Sequence, residues 1–293
     1  MKKRILFIVN PIAGHHRKGF FARSVKTFLD AKQYDYTILS TEHAGHGQLL
    51  AEQAVREDYD IVAAVGGDGT VNEVARALIG TETALAIIAY GSGNGLARSM
   101  HLPLLHINAI KLLNTGSIRT IDTASVNGIP FVSIAGIGLD AQTAYDFSSD
   151  PRRGFLPYAR YALENYIHFT PQTYTLTFDG QSTLECSPLL ISFANANQFG
   201  YNAVIAPHSD LADGLLNVCI LNRPPVHRAA LVASQLLLER LDHSRYFTEI
   251  KAEHISVLRP CPAVVNIDGE PMMFPEDLDI TIRPSSLKVM LKK

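Results

Sequence analysis

The chain has 293 residues, a length that suits two domains. Hydrophobic residues make up 47% and charged residues 18% of it, which favours compact cores and excludes a largely disordered chain. With 26 basic and 28 acidic residues the net charge is −2, so bulk charge gives no indication of nucleic-acid binding. The three cysteines are scattered and form no C-x-x-C pair, which indicates a reducing compartment and no zinc site.

Residues 1–120 alternate apolar runs with segments of helical periodicity. The apolar runs predict strands at Ile5–Val9, Tyr36–Leu39, Ile61–Val65 and Ala84–Ala89. The segments between them carry apolar residues at helical spacing. Strands that are buried on both faces and separated by helices predict a parallel sheet, so we expect an α/β domain over residues 1–122.

The pattern changes after residue 120. Asn127-Gly128 stands between two apolar runs, Ile121–Val126 and Ile129–Ile134, and predicts a hairpin. Further short strands follow, interrupted by two helices at about 155–168 and 225–241, and we interpret the apolar run Ala229–Leu238 as a core helix. We therefore expect a β-rich, sandwich-like domain over residues 123–284. No uncharged run approaches the roughly 20 residues of a membrane-spanning helix.

The segment Gly66-Gly67-Asp68-Gly69 follows a predicted strand and opens a predicted helix. Glycines let backbone N–H groups approach phosphate oxygens closely, and a helix N-terminus favours negative charge. Asp68 is unexpected in such a loop, because a carboxylate repels phosphate. Its presence makes sense if Mg²⁺ lies between the two, or if Asp68 orients the reacting groups; the alternative is a plain helix-capping aspartate in a tight turn.

Two more glycine loops follow predicted strands, one at residues 10–14 and one at residues 90–95. Open α/β sheets bind ligands at the carboxyl ends of their strands, so three such loops together predict a nucleotide site. The chain contains no G-x-x-x-x-G-K-[ST] segment, and no G-x-G-x-x-G follows the first strand. These absences argue against a P-loop enzyme and a Rossmann dehydrogenase.

The set N-P-I-A-G, G-G-D-G-T-V-N-E-V and G-S-G-N-G-L-A-R resembles the diacylglycerol kinase catalytic-domain superfamily. The resemblance extends through the second half, in N-A-N-Q-F-G, in A-P-H-S-D-L-A-D-G-L and in the late D-G-E, and so covers essentially the whole chain. It implies a lipid kinase that uses ATP and Mg²⁺. It also implies an N-terminal domain like that of NAD kinases and diacylglycerol kinases, to which residues 285–293 return.

The resemblance assigns roles to particular residues. It implies that the ATP site is lined by Asn10, Pro11, Gly14, Thr41, Gly66, Gly67, Asp68, Gly69, Thr70, Asn72, Glu73 and Ser92, with Asp68 nearest the phosphates. It implies that Glu270 is the general base that takes the proton of the lipid hydroxyl, a role that a carboxylate suits. The alternative for Asp268-Gly269-Glu270 is a surface hairpin turn.

A structural Mg²⁺ site is implied at Asp210, Asp213 and the carbonyl of Leu215, with Asp122 in its hydrogen-bond network. Two carboxylates and a carbonyl are suitable ligands for Mg²⁺, although an Asp-Gly turn with incidental charge gives the same pattern. By analogy with sphingosine kinases, Asp140 faces the lipid headgroup.

The sequence departs from bacterial diacylglycerol kinases at the second glycine loop, where Gly91-Ser92-Gly93-Asn94-Gly95 is closer to sphingosine kinases. Diacylglycerol, monoacylglycerol, phosphatidylglycerol and sphingoid bases therefore all stay open as substrates. An NAD kinase and a catalytically silent regulator that binds nucleotide or lipid are the alternatives. We expect a cytoplasmic protein that meets its lipid at the inner membrane surface. Relatives are often dimers, but the residues leave the oligomeric state open.

Overall fold

The computed structural model of this chain describes residues 2–13, 18–150 and 154–293. The chain divides into two compact units, the first formed by Met1–Ile121 with Ser285–Lys293 and the second by Asp122–Pro284. Asp122 thus opens the second unit, whereas the sequence placed it at the end of the first domain. The last nine residues belong to the first unit although the rest of their strand belongs to the second.

The first unit alternates strands and helices from its first strand onward, as its periodicity predicts. Its elements are β1 (Lys3–Val9), α1 (Lys18–Phe28), β2 (Tyr34–Ser40), α2 (His46–Arg56), β3 (Ile61–Gly66), α3 (Asp68–Leu78), β4 (Ala84–Ala89), α4 (Gly95–Ser99) and α5 (His106–Thr115).

The four strands β1 to β4 form a parallel sheet in the order β2-β1-β3-β4. β3 and β4 are buried along their whole length, which explains why both are continuous apolar runs. The chain passes from β1 to β2 on one side and then crosses to β3 on the other. The carboxyl ends of β1 and β3 therefore form the topological switch point, where open α/β sheets bind their ligands.

The second unit is mainly β-structure, and its described residues also form three α-helices and a 3₁₀ turn. Its elements are β5 (Ser117–Val126, which begins in the first unit), β6 (Ile129–Phe131), β7 (Ile134–Gly138), α6 (Leu139–Ser148), α7 (Phe155–His168), β8 (Tyr174–Phe178), β9 (Ser182–Cys186), β10 (Leu190–Ala194), β11 (Leu216–Leu221), α8 (Val226–Leu237), a 3₁₀ turn (Leu241–His243), β12 (Phe247–Ala252), β13 (His254–Leu258), β14 (Ala263–Ile267), β15 (Glu270–Phe274) and β16 (Asp277–Leu291).

Two sheets enclose the core of this unit. One is fully antiparallel in the order β12-β11-β10-β7-β14-β15, and the other contains the antiparallel pairs β16-β13, β13-β8 and β8-β9 together with the β5-β6 hairpin. Side chains of both sheets, including Phe131, Phe193 and Leu176, are fully buried in one cluster. The predicted fold class, an α/β domain followed by a β-sandwich-like domain, is confirmed.

Three local predictions differ from the structure. The run Ile129–Ile134 is not one strand, because β6 ends at Phe131 and β7 begins at Ile134. The sequence analysis missed α6. The run Ala229–Leu238 forms a helix, but the interpretation as a core helix is wrong: only Val232 of α8 is buried, while Leu231 and Leu238 are 50% and 65% exposed.

Among the described residues, no helix combines the length and the apolar composition that crossing a membrane requires.

Candidate functional site

In the first unit the two glycine loops that follow β3 and β4 lie against each other. A Cβ atom on Gly91 would stand only 2.5 Å from the Cα of Gly67, so a side chain at position 91 would collide with backbone. Asp68, the first residue of α3, joins the same two loops. Its carboxylate accepts the N–H of Asn94 at 2.8 Å and the N–H of Gly95 at 2.7 Å. Backbone from two separate loops is thus held together by one side chain.

Burial raises the pKa of Asp68 above its ordinary value, while the N–H groups of Gly95 and Asn94 and the charge of Arg98 oppose that rise. These hydrogen bonds therefore stabilise the charged form of the carboxylate against the cost of its burial. The sequence placed Asp68 nearest the phosphates. In the structure Asp68 lies between the two glycine loops, and both of its carboxylate oxygens accept backbone N–H groups.

Several other residues assigned to the nucleotide site converge at the carboxyl ends of β1, β2 and β3. The Asn10 side chain donates to Thr70 Oγ1 at 3.0 Å, and its backbone N–H donates to the Val65 carbonyl. The backbone N–H of Thr41 donates to the carbonyl of Val9, which places Thr41 directly after β2. A Cβ on Gly66 would stand 2.4 Å from Thr70 Oγ1, so glycine is required for this packing.

The remaining residues assigned to this site lie in different positions. Pro11 lies in an exposed turn after β1, and Ser92 is exposed on the second glycine loop. Asn72 is buried on α3, and Gly67 and Gly69 flank Asp68. Gly14 lies outside the described residues.

Glu73 forms contacts with helix α2 that the sequence did not predict. Its carboxylate accepts the N–H of Gly45 at 2.8 Å and that of Gly47 at 2.9 Å, at the N-terminus of α2. A carboxylate at this end of a helix satisfies otherwise unpaired N–H groups and complements the helix dipole. Glu73 on α3 thus anchors α2, so its role in the structure is to hold a neighbouring helix.

In the second unit, Asp268-Gly269 is the two-residue turn of the β14-β15 hairpin, and both residues have positive φ. The Asp268 carboxylate accepts three successive backbone N–H groups, those of Val132 (2.8 Å), Ser133 (2.8 Å) and Ile134 (3.1 Å). Glu270 follows as the first residue of β15 and is half-buried. The hairpin turn and the predicted catalytic segment are therefore the same feature, fixed in place by Asp268.

A buried amide links this turn to the segment that carries the predicted metal ligands. Asn195 is fully buried, and its side-chain nitrogen donates to the carbonyls of Asp122 (2.8 Å) and Val132 (2.7 Å). The Asp122 carboxylate in turn accepts the N–H of Gly214 at 2.7 Å. The predicted network residue Asp122 thus contacts the 210–215 segment directly and reaches the Asp268 turn through Asn195.

The predicted metal ligands are already paired with protein groups. Asp213 accepts the N–H of Leu215 through one oxygen at 3.0 Å and contacts the Lys251 ammonium through the other at 2.6 Å. Asp210 accepts the N–H of Ala212. In the described residues, no group of three or more His, Cys, Asp or Glu side chains is arranged to hold a metal ion. The donor types suit Mg²⁺, but the Lys251 ammonium already offsets the charge of Asp213 and would repel an ion bound beside it, so the set does not fit a structural ion.

Asp140 lies in the first turn of α6 and is buried, 6% exposed. Its two oxygens face Tyr158 Oη at 3.3 Å and Asn266 Nδ2 at 3.0 Å. Burial raises the pKa of Asp140, and the hydrogen bonds from Asn266 and Tyr158 oppose this effect. Since Asn266 stands two residues before Asp268, the Asp140 carboxylate adjoins the same hairpin as Glu270.

A cavity of about 530 Å³ in the second unit contains none of the predicted residues; it is open and is lined by Asn127, Thr177, Ser256 and Asp279 among others. Apolar residues, among them Val257 and Leu278, also line this cavity.

Comparison with known families assigns the two halves of the chain. Residues 4–126 match the diacylglycerol kinase catalytic domain, and residues 133–291, more than half of the chain, match the YegS C-terminal NAD kinase beta sandwich-like domain. The chain belongs to the family of the YegS C-terminal NAD kinase beta sandwich-like domain, and its N-terminal part matches the diacylglycerol kinase catalytic domain. The predicted resemblance is confirmed.

Relatives in this family match over nearly the full length. A protein of Staphylococcus carnosus (strain TM300) named diacylglycerol kinase is 25% identical over 278 residues, which are 92% of this chain and 89% of the relative. One of Staphylococcus aureus (strain NCTC 8325 / PS 47) with the same name is 27% identical over 279 residues, 92% of this chain and 87% of the relative.

Solved structures show the same fold. A structure of a diacylglycerol kinase from Bacillus anthracis str. Sterne has a TM-score of 0.76 at 20% identity and covers 99% of this chain and 97% of that one. Another structure from the same organism has a TM-score of 0.79 at 23% identity, with the same coverage. At these identities the comparison supports the fold alone.

Sequence reasoning on the family motifs missed three residues of these clusters. Asn195 and Asp268 lie inside quoted motifs but were given no role of their own. Lys251 lies outside every motif, and no local signal marks it, because its partner Asp213 is 38 residues away in the chain.

Gly91→Ala tests the contact between the glycine loops. We expect it to destabilise the first unit by about 1–3 kcal/mol, because overpacking against backbone forces the loops apart. Gly69→Ala is the matched control, since a Cβ there meets nothing within 4 Å. Urea unfolding followed by circular dichroism measures both; equal stability of the two variants would refute the contact.

Asp140→Asn tests the buried carboxyl. The pKa of Asp140 is raised in the folded state above the value of about 3.9 in unfolded chains, so the folded state binds more protons. The stability of the wild type therefore falls as the pH rises above about 3.9. The variant lacks this loss. We expect its melting temperature relative to wild type to increase between pH 4 and pH 7; a difference that does not change with pH would contradict a raised pKa.

Proposed function

We propose that this protein is a lipid kinase, which transfers the γ-phosphoryl group of ATP to a lipid hydroxyl. The observation that carries the proposal is the pair of glycine loops that Asp68 ties together at the carboxyl ends of β3 and β4. Clustered backbone N–H groups at this edge of a parallel sheet suit the phosphates of a nucleotide. The full-length match to proteins named diacylglycerol kinase supports a lipid as acceptor.

In this proposal the nucleotide occupies the edge formed by Asn10, Thr41, the two glycine loops and Thr70. ATP would enter as its Mg²⁺ complex, and the bound ion would offset the negative charge of the phosphates. Asp68 keeps the two loops in register, so that their backbone does not have to reorganise when the phosphates arrive. Phosphoryl transfer relies on this kind of positioning more than on covalent chemistry.

Glu270 is the proposed general base. The lipid hydroxyl oxygen forms a bond to the γ-phosphorus, the bond between that phosphorus and the bridging oxygen of ADP breaks, and Glu270 accepts the hydroxyl proton. The Asp268 turn supports this role, because three backbone hydrogen bonds fix the residue that precedes Gly269 and Glu270. A turn that is fixed in this way limits the positions that the Glu270 carboxylate can take, which favours the alignment that general-base catalysis needs.

The lipid itself is the least constrained part of the proposal. Asp140, Tyr158 and Asn266 form a polar cluster beside the hairpin that carries Glu270, and the side-chain oxygen Oδ1 of Asn266 has no hydrogen-bond partner among the described residues. A headgroup hydroxyl would satisfy that oxygen. We propose diacylglycerol or a related glycerolipid or sphingoid base, met at the inner surface of the membrane by a protein that is otherwise cytoplasmic.

The test is transfer of labelled γ-phosphate from Mg·ATP to a panel of lipids in mixed micelles, with NAD in a parallel reaction. The NAD reaction belongs in the panel because the second half of the chain matches an NAD kinase beta sandwich-like domain. Labelling of a lipid supports the proposal. Labelling of NAD alone would assign the chain to another substrate class, and ATP binding without any transfer would indicate a regulator.

Glu270→Gln separates the base from the rest of the site. We expect kcat to fall about 10²- to 10⁴-fold, the usual contribution of general acid–base catalysis, while the Kd for ATP stays unchanged. Glu185→Gln, on the exposed strand β9, is the control and keeps wild-type activity. Full activity of Glu270→Gln would exclude this residue as the base.

A further inference from the structure

Strand β12 carries two charged side chains that hold the segment of residues 206–215, called the 206–215 loop below. Glu249 and Lys251 are two residues apart on this edge strand, so both side chains point to the same side. Glu249 contacts the imidazole of His208 at 2.8 Å, and Lys251 contacts Asp213 at 2.6 Å. One face of β12 thus holds the loop near its start and near its end.

In both contacts the acidic side chain is largely shielded from solvent. The Glu249 side chain is 11% exposed and that of Asp213 is 22% exposed, whereas Lys251 is 39% exposed and His208 61%. Glu249 also accepts a hydrogen bond from Asn217 at 2.6 Å, which fixes its orientation. The acidic side chains of both pairs are therefore constrained. Pairs of this kind stabilise the folded state more than fully exposed ion pairs do.

The 206–215 loop is also bonded to the body of the second unit. Asp122 donates its backbone N–H to the Leu211 carbonyl at 2.7 Å and accepts the N–H of Gly214 at 2.7 Å. Through the amide of Asn195 this contact continues to the backbone of Val132, beside the turn at Asp268. The position of the loop therefore bears on the hairpin that carries the proposed base.

We propose that the Lys251 ammonium is a built-in cation that takes the place of a divalent ion on this loop. It supplies positive charge to Asp213 at hydrogen-bonding distance, and the other oxygen of Asp213 is occupied by the N–H of Leu215. A divalent ion bound to Asp213 would lie beside the Lys251 ammonium and be repelled by its charge, and Mg²⁺ gives up its water ligands reluctantly. The loop therefore folds independently of divalent cations. Lys251 acts on the loop, and so is a positioning residue that does not touch substrate.

Thermal unfolding of the nucleotide-free protein tests this proposal without relying on catalysis. Wild type is compared in EDTA, in MgCl₂ and in CaCl₂ at constant ionic strength. We expect the melting temperatures to agree within about 1 °C, because an ion that does not bind the folded state does not stabilise it. A saturable rise in wild type with either divalent ion would overturn the proposal.

Lys251→Met removes the ammonium and keeps a side chain of similar length. In EDTA we expect a lower melting temperature than wild type, and in about 10 mM MgCl₂ or CaCl₂ a recovery of about 2–4 °C, the size that weak binding to the freed carboxylates gives a domain of this length. Loss of a merely structural contact would lower stability without creating a response to divalent ions, so absence of the recovery contradicts the proposal.

Lys2→Met is the matched control. Lys2 also pairs with a single aspartate, Asp35, at 3.1 Å and is 45% exposed, but it belongs to the first unit. We expect no response to divalent ions in this variant.

A second measurement decides the question if Lys251→Met does not fold. Titration calorimetry with MgCl₂ compares nucleotide-free wild type with Asp213→Asn. Saturable binding in wild type that disappears in Asp213→Asn would show that the ion competes successfully with Lys251, and would overturn the proposal. Absence of any binding that depends on Asp213 supports it.

Discussion

Hydrogen bonds from backbone N–H groups to buried or half-buried carboxylates recur at the loops of both units. Asp68 joins the two glycine loops, Glu73 holds the start of α2, Asp122 holds Gly214, and Asp268 holds three successive residues after β6. Loops lack the regular hydrogen-bond ladders of helices and sheets, so many of their N–H groups need an acceptor from elsewhere. A charged acceptor forms the stronger hydrogen bond and serves several donors at once.

The acidic residues of the family motifs therefore have a structural role, which is to accept hydrogen bonds from loop backbone, in addition to any chemical role. A glycine loop that binds phosphate has a large conformational entropy to lose, and a carboxylate that fixes it before the ligand arrives lowers that cost. The same argument applies to the turn before Glu270, where the Asp268 carboxylate accepts three backbone N–H groups. In the proposed function Asp268 positions the turn and Glu270 takes the proton, so substitution of either is expected to lower activity for a different reason.

The local sequence pattern was sufficient to predict most of the strands and turns. It was insufficient to predict contacts between residues that are far apart in the chain. The buried runs of β3 and β4 and the Asn127-Gly128 turn could be predicted because each is determined by its own residues. Helix α8 was misjudged, since an apolar run does not reveal how much of it finds a partner. Helix α6 was missed between strands. The partners of Glu73 and Asp213 lie 26 and 38 residues away along the chain, which no periodicity encodes.

The most direct test of this account is amide hydrogen exchange at Asn94 and Gly95 in wild type and in Asp68→Ala, without nucleotide. If the Asp68 carboxylate holds the second glycine loop, both amides are protected in wild type and exchange faster in the variant, while amides of the buried strand β3 keep their protection. Equal exchange of Asn94 and Gly95 in the two proteins would contradict the account, because the loop would then be held by something other than this carboxylate.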